Sequence, residues 1–253
     1  MIWRMTMKKV FVFVLILLVL AGCAAPLPGE ITAPANPTAV PTVPATAVPT
    51  DAPEETIASL PEPEDTDLVR VADHIPGIRQ NLRYATKDNF TGQQIYDFAD
   101  AYLRYGTVKK LQKVCAELAR QGLGILIWDG FRPLAAQEKL WEICPDPAYV
   151  SHPVTGSRSH CRGSAIDLTL VNLKTGELLM MPTDFDDFSK LADRDYADCS
   201  SDAAANAGLL EDVMVKHGFK PYSAEWWHYA DTDEYPVEET FRPEQTVFEG
   251  GIG

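Results

Sequence analysis

The chain has 253 residues and a formal net charge of −14, of which +3 falls in residues 1–22, −7 in residues 24–66 and −10 in residues 67–253. An acidic folded part argues against nucleic acid as a partner, because phosphate binding needs a basic face. The 187 residues from Asp67 onward are enough for one domain with a substantial core, since single domains commonly run to about 100–200 residues.

At the amino terminus Arg4, Lys8 and Lys9 precede the apolar run Val10 to Leu20, which is short for a membrane span and reads as a signal peptide. The run ends in Leu-Ala-Gly-Cys, which resembles the lipobox of bacterial lipoproteins. Cleavage there would make Cys23 the lipid-bearing first residue and anchor the protein to the outer face of the cell membrane, extracellular or periplasmic. An ordinary secretory signal or an uncleaved anchor would export the chain as well. Residues 24–66 contain ten prolines, seven acidic side chains, and neither lysine, arginine nor an aromatic residue. Such a stretch cannot bury enough apolar surface to offset chain entropy, so residues 23–66 are expected to form a disordered, extended tether.

In the folded part, 67–253, the pattern is α+β. Lys109 to Gln121 carries Leu111, Val114, Cys115 and Leu118 at helical spacing with Gly122 as a stop, and Leu123 to Trp128 follows as a buried strand. Pro133 precedes a second helix, Leu134 to Glu142, after which the chain is irregular through Arg158. Ala165 to Leu170 alternates as a strand, and Lys174-Thr175-Gly176 turns it into a hairpin partner, Glu177 to Met181. Asp202 to His217 is a helix stopped by Gly218. Trp226 to Ala230 is the closing strand, and residues 249–253 are expected to fray.

Two short motifs carry the chemistry, Ser-Arg-Ser-His-Cys-Arg-Gly-Ser-Ala-Ile-Asp at Ser157 to Asp167 and Glu-Trp-Trp-His at Glu225 to His228. His160, Asp167 and His228 offer three nitrogen and oxygen donors, the number a catalytic zinc takes while keeping one position open. Glu225 is then available as the base that takes a proton from the attacking water. Gly163 and Ala165 are small residues expected to let the backbone approach the metal. His74, His152 and His217 lack such company and read as surface or structural residues.

With Leu-Arg-Tyr-Ala-Thr-Lys-Asp-Asn-Phe-Thr-Gly (Leu82 to Gly92), Trp-Asp-Gly-Phe-Arg-Pro (Trp128 to Pro133) and Met-Pro-Thr-Asp-Phe-Asp-Asp-Phe (Met181 to Phe188), the chain resembles D-alanyl-D-alanine dipeptidases of the vancomycin-resistance type. These are zinc D,D-peptidases that share their fold with the hedgehog signalling domain. The resemblance covers Asp67 to Asp231. It implies one compact domain with a small, mostly antiparallel sheet flanked by helices. It also implies one zinc ion per chain held by His160, Asp167 and His228, with Glu225 as general base and acid. Arg132 would stabilise the oxyanion, its other reading being a structural ion pair. Asp186 would hold the free amine of the substrate and so confine cleavage to dipeptides, and Tyr84, Tyr96 and Ser159 are expected to line the pocket.

Arg158 and Cys161 depart from that pattern, since related enzymes often carry small or hydroxyl residues there. An exported enzyme would not reach intracellular D-Ala-D-Ala, so turnover of wall-derived peptides is the expected role. A D,D-carboxypeptidase or endopeptidase acting on stem peptides, and a non-catalytic wall-binding module, are the alternatives. Of the four cysteines besides Cys23, Cys144 and Cys199 lie in irregular segments and are the expected disulfide among three possible full pairings. Cys115 reads as core and Cys161 as a free thiol.

Overall fold

The computed structural model describes residues 61–246. The expected signal segment, Cys23, most of the tether and the glycine-rich end lie outside the described residues. The last residues before position 67 are tied to the domain: Tyr105 donates to Glu62 at 2.6 Å, Arg104 donates to the Thr66 carbonyl at 2.6 Å, and Lys109 pairs with Asp65.

The elements run β1 (Leu68–Arg70), α1 (Val71–His74), β2 (Arg79–Gln80), β3 (Tyr102–Arg104), α2 (Tyr105–Ala119), β4 (Leu123–Asp129), α3 (Leu134–Ile143), β5 (Ala165–Asn172), α4 (Ser201–Lys216), β6 (Phe219–Tyr222) and β7 (Glu225–Asp231). Five strands form one sheet in the order β2-β4-β5-β7-β6, antiparallel except for the β2–β4 pair, and β1 and β3 form a separate antiparallel pair. An α+β domain with a mostly antiparallel sheet is therefore present.

Helix α2 buries Val108, Leu111, Val114 and Leu118, the stripe that its sequence periodicity describes, and ends before Gly122, whose φ of +72° suits a residue without a Cβ. Helix α4 begins where the Ser200 hydroxyl accepts from the Ala203 amide at 3.2 Å, and it buries Ala203, Ala207, Leu210, Val213 and Met214. Both helices pack on the sheet. The centre of the sheet is β5, seven of whose eight residues are buried, so it is covered on both faces. Trp128, Phe185, Trp226 and Trp227 form a contiguous aromatic cluster with ring centroids 5.3–5.8 Å apart.

The short helix α1 and four strands escape the sequence pattern. β1 and β2 are only three and two residues long, too short to show a period. β3 runs directly into α2 with no turn residue between them. β6 contains Pro221, which an edge strand tolerates but which argues against a strand in sequence. The expected hairpin partner Glu177 to Met181 is reduced to one bridge between Val171 and Leu178. Leu178 and Met180 stay exposed, while Leu179 and Met181 pack against the core.

Gly163 has a different task from the one its size suggests. It closes the turn after His160 with φ +70°, and an added Cβ would lie 2.4 Å from Leu68 Cδ2. Its neighbour is thus the β1 strand. Gly163→Ala should lose about 2 kcal/mol or more of unfolding free energy, through left-handed strain and overpacking. Urea denaturation checks this, and a loss below about 0.5 kcal/mol would mean that the turn relaxes freely.

Candidate metal centre and active site

Strand register assembles the centre. Asp167 on β5 pairs with Asp129 on β4 at one side and with His228 on β7 at the other, which lines up three functional side chains across three adjacent strands. His160 enters from the short turn before β5. Its Nε2 lies 3.2 Å from His228 Nδ1 and 3.3 Å from Asp167 Oδ2, and His228 Nδ1 lies 2.9 Å from Asp167 Oδ1. Donors held at about 2.0–2.1 Å around a tetrahedral zinc stand about 3.3 Å apart, so the spacing and the two-nitrogen, one-carboxylate donor set fit that ion. The tautomer agrees: His160 Nδ1 donates to the Gly130 carbonyl at 2.8 Å, which leaves Nε2 with its lone pair toward the cluster. Burial works against the Asp167 charge, but the His160 and His228 imidazoles hold it well below the usual carboxylate range. Burial pulls His160 down, and the Asp167 and Asp129 carboxylates more than reverse this.

Glu225 lies three residues before His228. In a regular strand the two would face opposite ways. The register of β6 and β7 slips between Pro221 and Tyr222, so that Tyr222 faces Glu225 while Pro221 faces Tyr229. This bulge turns Glu225 to within 4.0 Å of His228 Nδ1. Burial pushes the Glu225 carboxyl up, with His228 opposing and Asp167 adding to the rise. Arg194 braces the bulge from behind: it donates to the carbonyls of Tyr222 at 2.7 Å and His228 at 2.9 Å, and pairs with Glu211 at 2.9 Å.

A cavity of about 460 Å³ opens onto these groups and is also lined by Tyr84, Arg132, Asp186, Ser159 and Arg158. Ser159 Oγ lies 3.5 Å from His228 Nε2. Asp186 sits on a left-handed backbone, φ +58°, and accepts from the Tyr84 hydroxyl at 2.9 Å. Burial and then the Asp167 charge raise its carboxyl well above the ordinary value. Tyr96 does not join this lining. It is 1% exposed, and its hydroxyl donates to Asp129 at 2.8 Å behind Arg132, so it supports the site from the core.

Arg132 makes the ion pair of its structural reading and also lines the cavity. Its Nη2 and Nε donate to Asp129 Oδ2 at 2.6 and 3.2 Å, and Nη1 donates to Gln137 at 2.9 Å. A guanidinium has five N–H groups, so one on each Nη is left for a ligand. Asp129 and Gln137 were missed by sequence reasoning. The acidic end of an apolar strand was the available signal for Asp129, whereas Gln137 had none beyond its place on α3. Tyr149 and Phe188, which also line the cavity, come from irregular loops.

All four described cysteines are free, which overturns the Cys144–Cys199 pairing. The Cys199 thiol faces the Tyr196 carbonyl at 3.4 Å, while Cys144 packs against the core at the end of α3. Lying in an irregular segment was no guide to proximity. Burial raises the Cys161 thiol to about 11, and Cys161 lies outside both the cavity lining and the donor cluster. His217 pairs with Glu117 at 2.7 Å and His74 packs at a tilt against Tyr105, both outside the cavity lining, whereas His152 lines the cavity and accepts the Val154 amide at 3.1 Å.

A compact α+β domain with a buried His-Asp-His cluster and a desolvated glutamate has the parts of a metal-dependent hydrolase. The family model described as Peptidase_M15, D-ala-D-ala dipeptidase, matches residues 64–246. The D-alanyl-D-alanine dipeptidase of Escherichia coli (strain K12) is 37% identical over 166 residues, covering 66% of this chain and 85% of that protein. The D-alanyl-D-alanine dipeptidase of Enterococcus faecium is 36% identical over 182 residues, covering 64% and 90%. The chain belongs to the D-Ala-D-Ala dipeptidase family of M15 peptidases. Among solved structures, VanYB in complex with D-Alanine-D-Alanine matches at 14% identity with a TM-score of 0.35, over 53% of this chain and 73% of that one, a likeness too loose to define a fold.

Zinc at 100 times its dissociation constant should stabilise the wild type by about 2.7 kcal/mol, and Asp167→Ala by far less. Unfolding with and without zinc measures both, and equal gains would remove Asp167 from the centre.

Proposed function

We propose that this protein is a zinc-dependent dipeptidase that hydrolyses D-alanyl-D-alanine and similar D,D-dipeptides on the outer side of the membrane, in turnover of wall-derived peptides. The observation that carries the chemistry is the convergence of His160, Asp167 and His228 beside Glu225 in one cavity. Zinc held by the three donors supplies a Lewis acid for the scissile carbonyl and lowers the pKa of water. Glu225 takes the proton of the attacking water and returns it to the leaving amine, a task suited to a carboxyl whose proton affinity burial has raised. The free N–H groups of Arg132 offset the charge that develops on the carbonyl oxygen. Because Tyr96 and Asp129 hold that guanidinium from behind, little reorganisation is needed as the charge appears.

Asp186 takes the substrate's ammonium group. Its desolvated carboxyl makes no ion pair among the described residues, and an incoming amine supplies one. A longer peptide has no ammonium at that position, which supports the dipeptide over the stem peptide. The Arg4 to Lys9 cluster, the apolar run and Cys23 support export and lipid anchoring, and the proline-rich segment supports a tether. The charge of −10 over residues 67–253 argues against nucleic acid as a partner.

The zinc-loaded protein and its Glu225→Ala variant should be incubated with D-Ala-D-Ala and with a stem pentapeptide ending in D-Ala-D-Ala, and released D-alanine quantified. Release from the dipeptide, reduced about 10²- to 10⁴-fold in the variant, is expected. Release mainly from the pentapeptide would move the protein to the carboxypeptidases and strip Asp186 of its role. Release from neither, with zinc bound, would favour a wall-binding module.

A further inference from the structure

A zwitterionic dipeptide needs a cation at its carboxylate end. Among the cavity-lining groups the carboxylates of Asp167, Asp186 and Glu225 face two arginines, Arg132 and Arg158. Arg132 is largely committed to Asp129 and Gln137. Arg158 is not: its Nε is buried without a hydrogen-bond partner, and its guanidinium makes no ion pair among the described residues. Leaving such donors desolvated and unmatched is unfavourable unless a ligand satisfies them.

The backbone at Arg158 points the same way. Its φ of +49° lies in the left-handed region, which a long L side chain rarely adopts. Non-glycine residues held there cluster at ligand sites, and in this protein Asp186, on the same cavity, is another. Arg158 stands two positions before His160 and lines the same cavity as Ser159, His160 and His228. Arg132 and Arg158 line the same cavity as His160, so both guanidinium groups are available to one ligand there.

We infer that Arg158 binds the terminal carboxylate of the substrate and sets the requirement for a free C-terminus, so that the cavity reads a dipeptide by its two charged ends. The inference rests on the dipeptidase reading for the identity of the ligand. A guanidinium matches a carboxylate in two parallel N–H···O bonds.

The test is equilibrium binding, by calorimetry, of D-Ala-D-Ala and of its C-terminal amide to zinc-loaded Glu225→Ala protein with and without Arg158→Met. With Arg158 present, the acid should bind about 10- to 100-fold more tightly than the amide, and Arg158→Met should abolish that preference while leaving amide affinity within a few-fold. Arg158→Lys should restore part of it. An unchanged acid-to-amide ratio in Arg158→Met, an equal loss for both ligands, or no binding of the acid when Arg158 is present would overturn the assignment. Zinc-induced stabilisation, which a carboxylate contact does not affect, should be the same in all variants and controls for misfolding. Hydrolysis by protein retaining Glu225 is scored separately: its absence would sink the dipeptidase reading while the binding ratio still decided the role of Arg158.

Discussion

The structure depends on keeping two carboxylates, Asp129 and Asp167, buried side by side at one level of a sheet. They face each other in the β4–β5 register at 0% and 3% exposure. Two like charges so placed need compensation from opposite sides. Asp129 receives the Tyr96 hydroxyl, the Gly130 amide and Arg132, while Asp167 receives the imidazoles of His160 and His228. Every group given a chemical role here is therefore either in contact with one of these two carboxylates or set beside a group that is.

That demand accounts for the loops as well. The Gly130 carbonyl fixes the His160 tautomer, Gln137 links Arg132 to the Ser151 carbonyl at 2.6 Å, and the C-terminal segment meets the His160 turn where the Glu238 amide donates to the Cys161 carbonyl at 2.8 Å. The His160 turn is held from β3 too, because the Arg104 amide donates to the Gly163 carbonyl at 2.8 Å. The centre thus sits where strands from distant parts of the chain meet, and its geometry rests on the packed core rather than on a single loop.

Much of this was legible in the sequence, and the reason is locality. The His160 to Asp167 motif spans one turn and the start of one strand, and helices α2 and α4 carry their apolar stripes openly. Glu225 and His228 were readable as partners, but the slip at Pro221 that makes them share a face depends on pairing between strands, which a single sequence does not display. Tyr96 was misplaced because nearness to a motif is not nearness to a cavity, and its ring is stacked on Phe98 at 4.6 Å in the core. The disulfide expectation failed because thiols from distant segments pair only if the fold brings them together. Arg158 stood out in sequence as a departure; its strained backbone and unpartnered guanidinium became visible only in three dimensions.

The central claim is that His160, Asp167 and His228 form a zinc site of nitrogen and carboxylate donors with Glu225 outside the coordination shell. X-ray absorption at the zinc edge on the loaded protein tests it most directly. The account predicts nitrogen and oxygen neighbours only, at about 2.0–2.2 Å, and an unchanged shell in Glu225→Ala. A sulfur neighbour at about 2.3 Å, bringing Cys161 into the shell, or a ligand lost in Glu225→Ala, would contradict it.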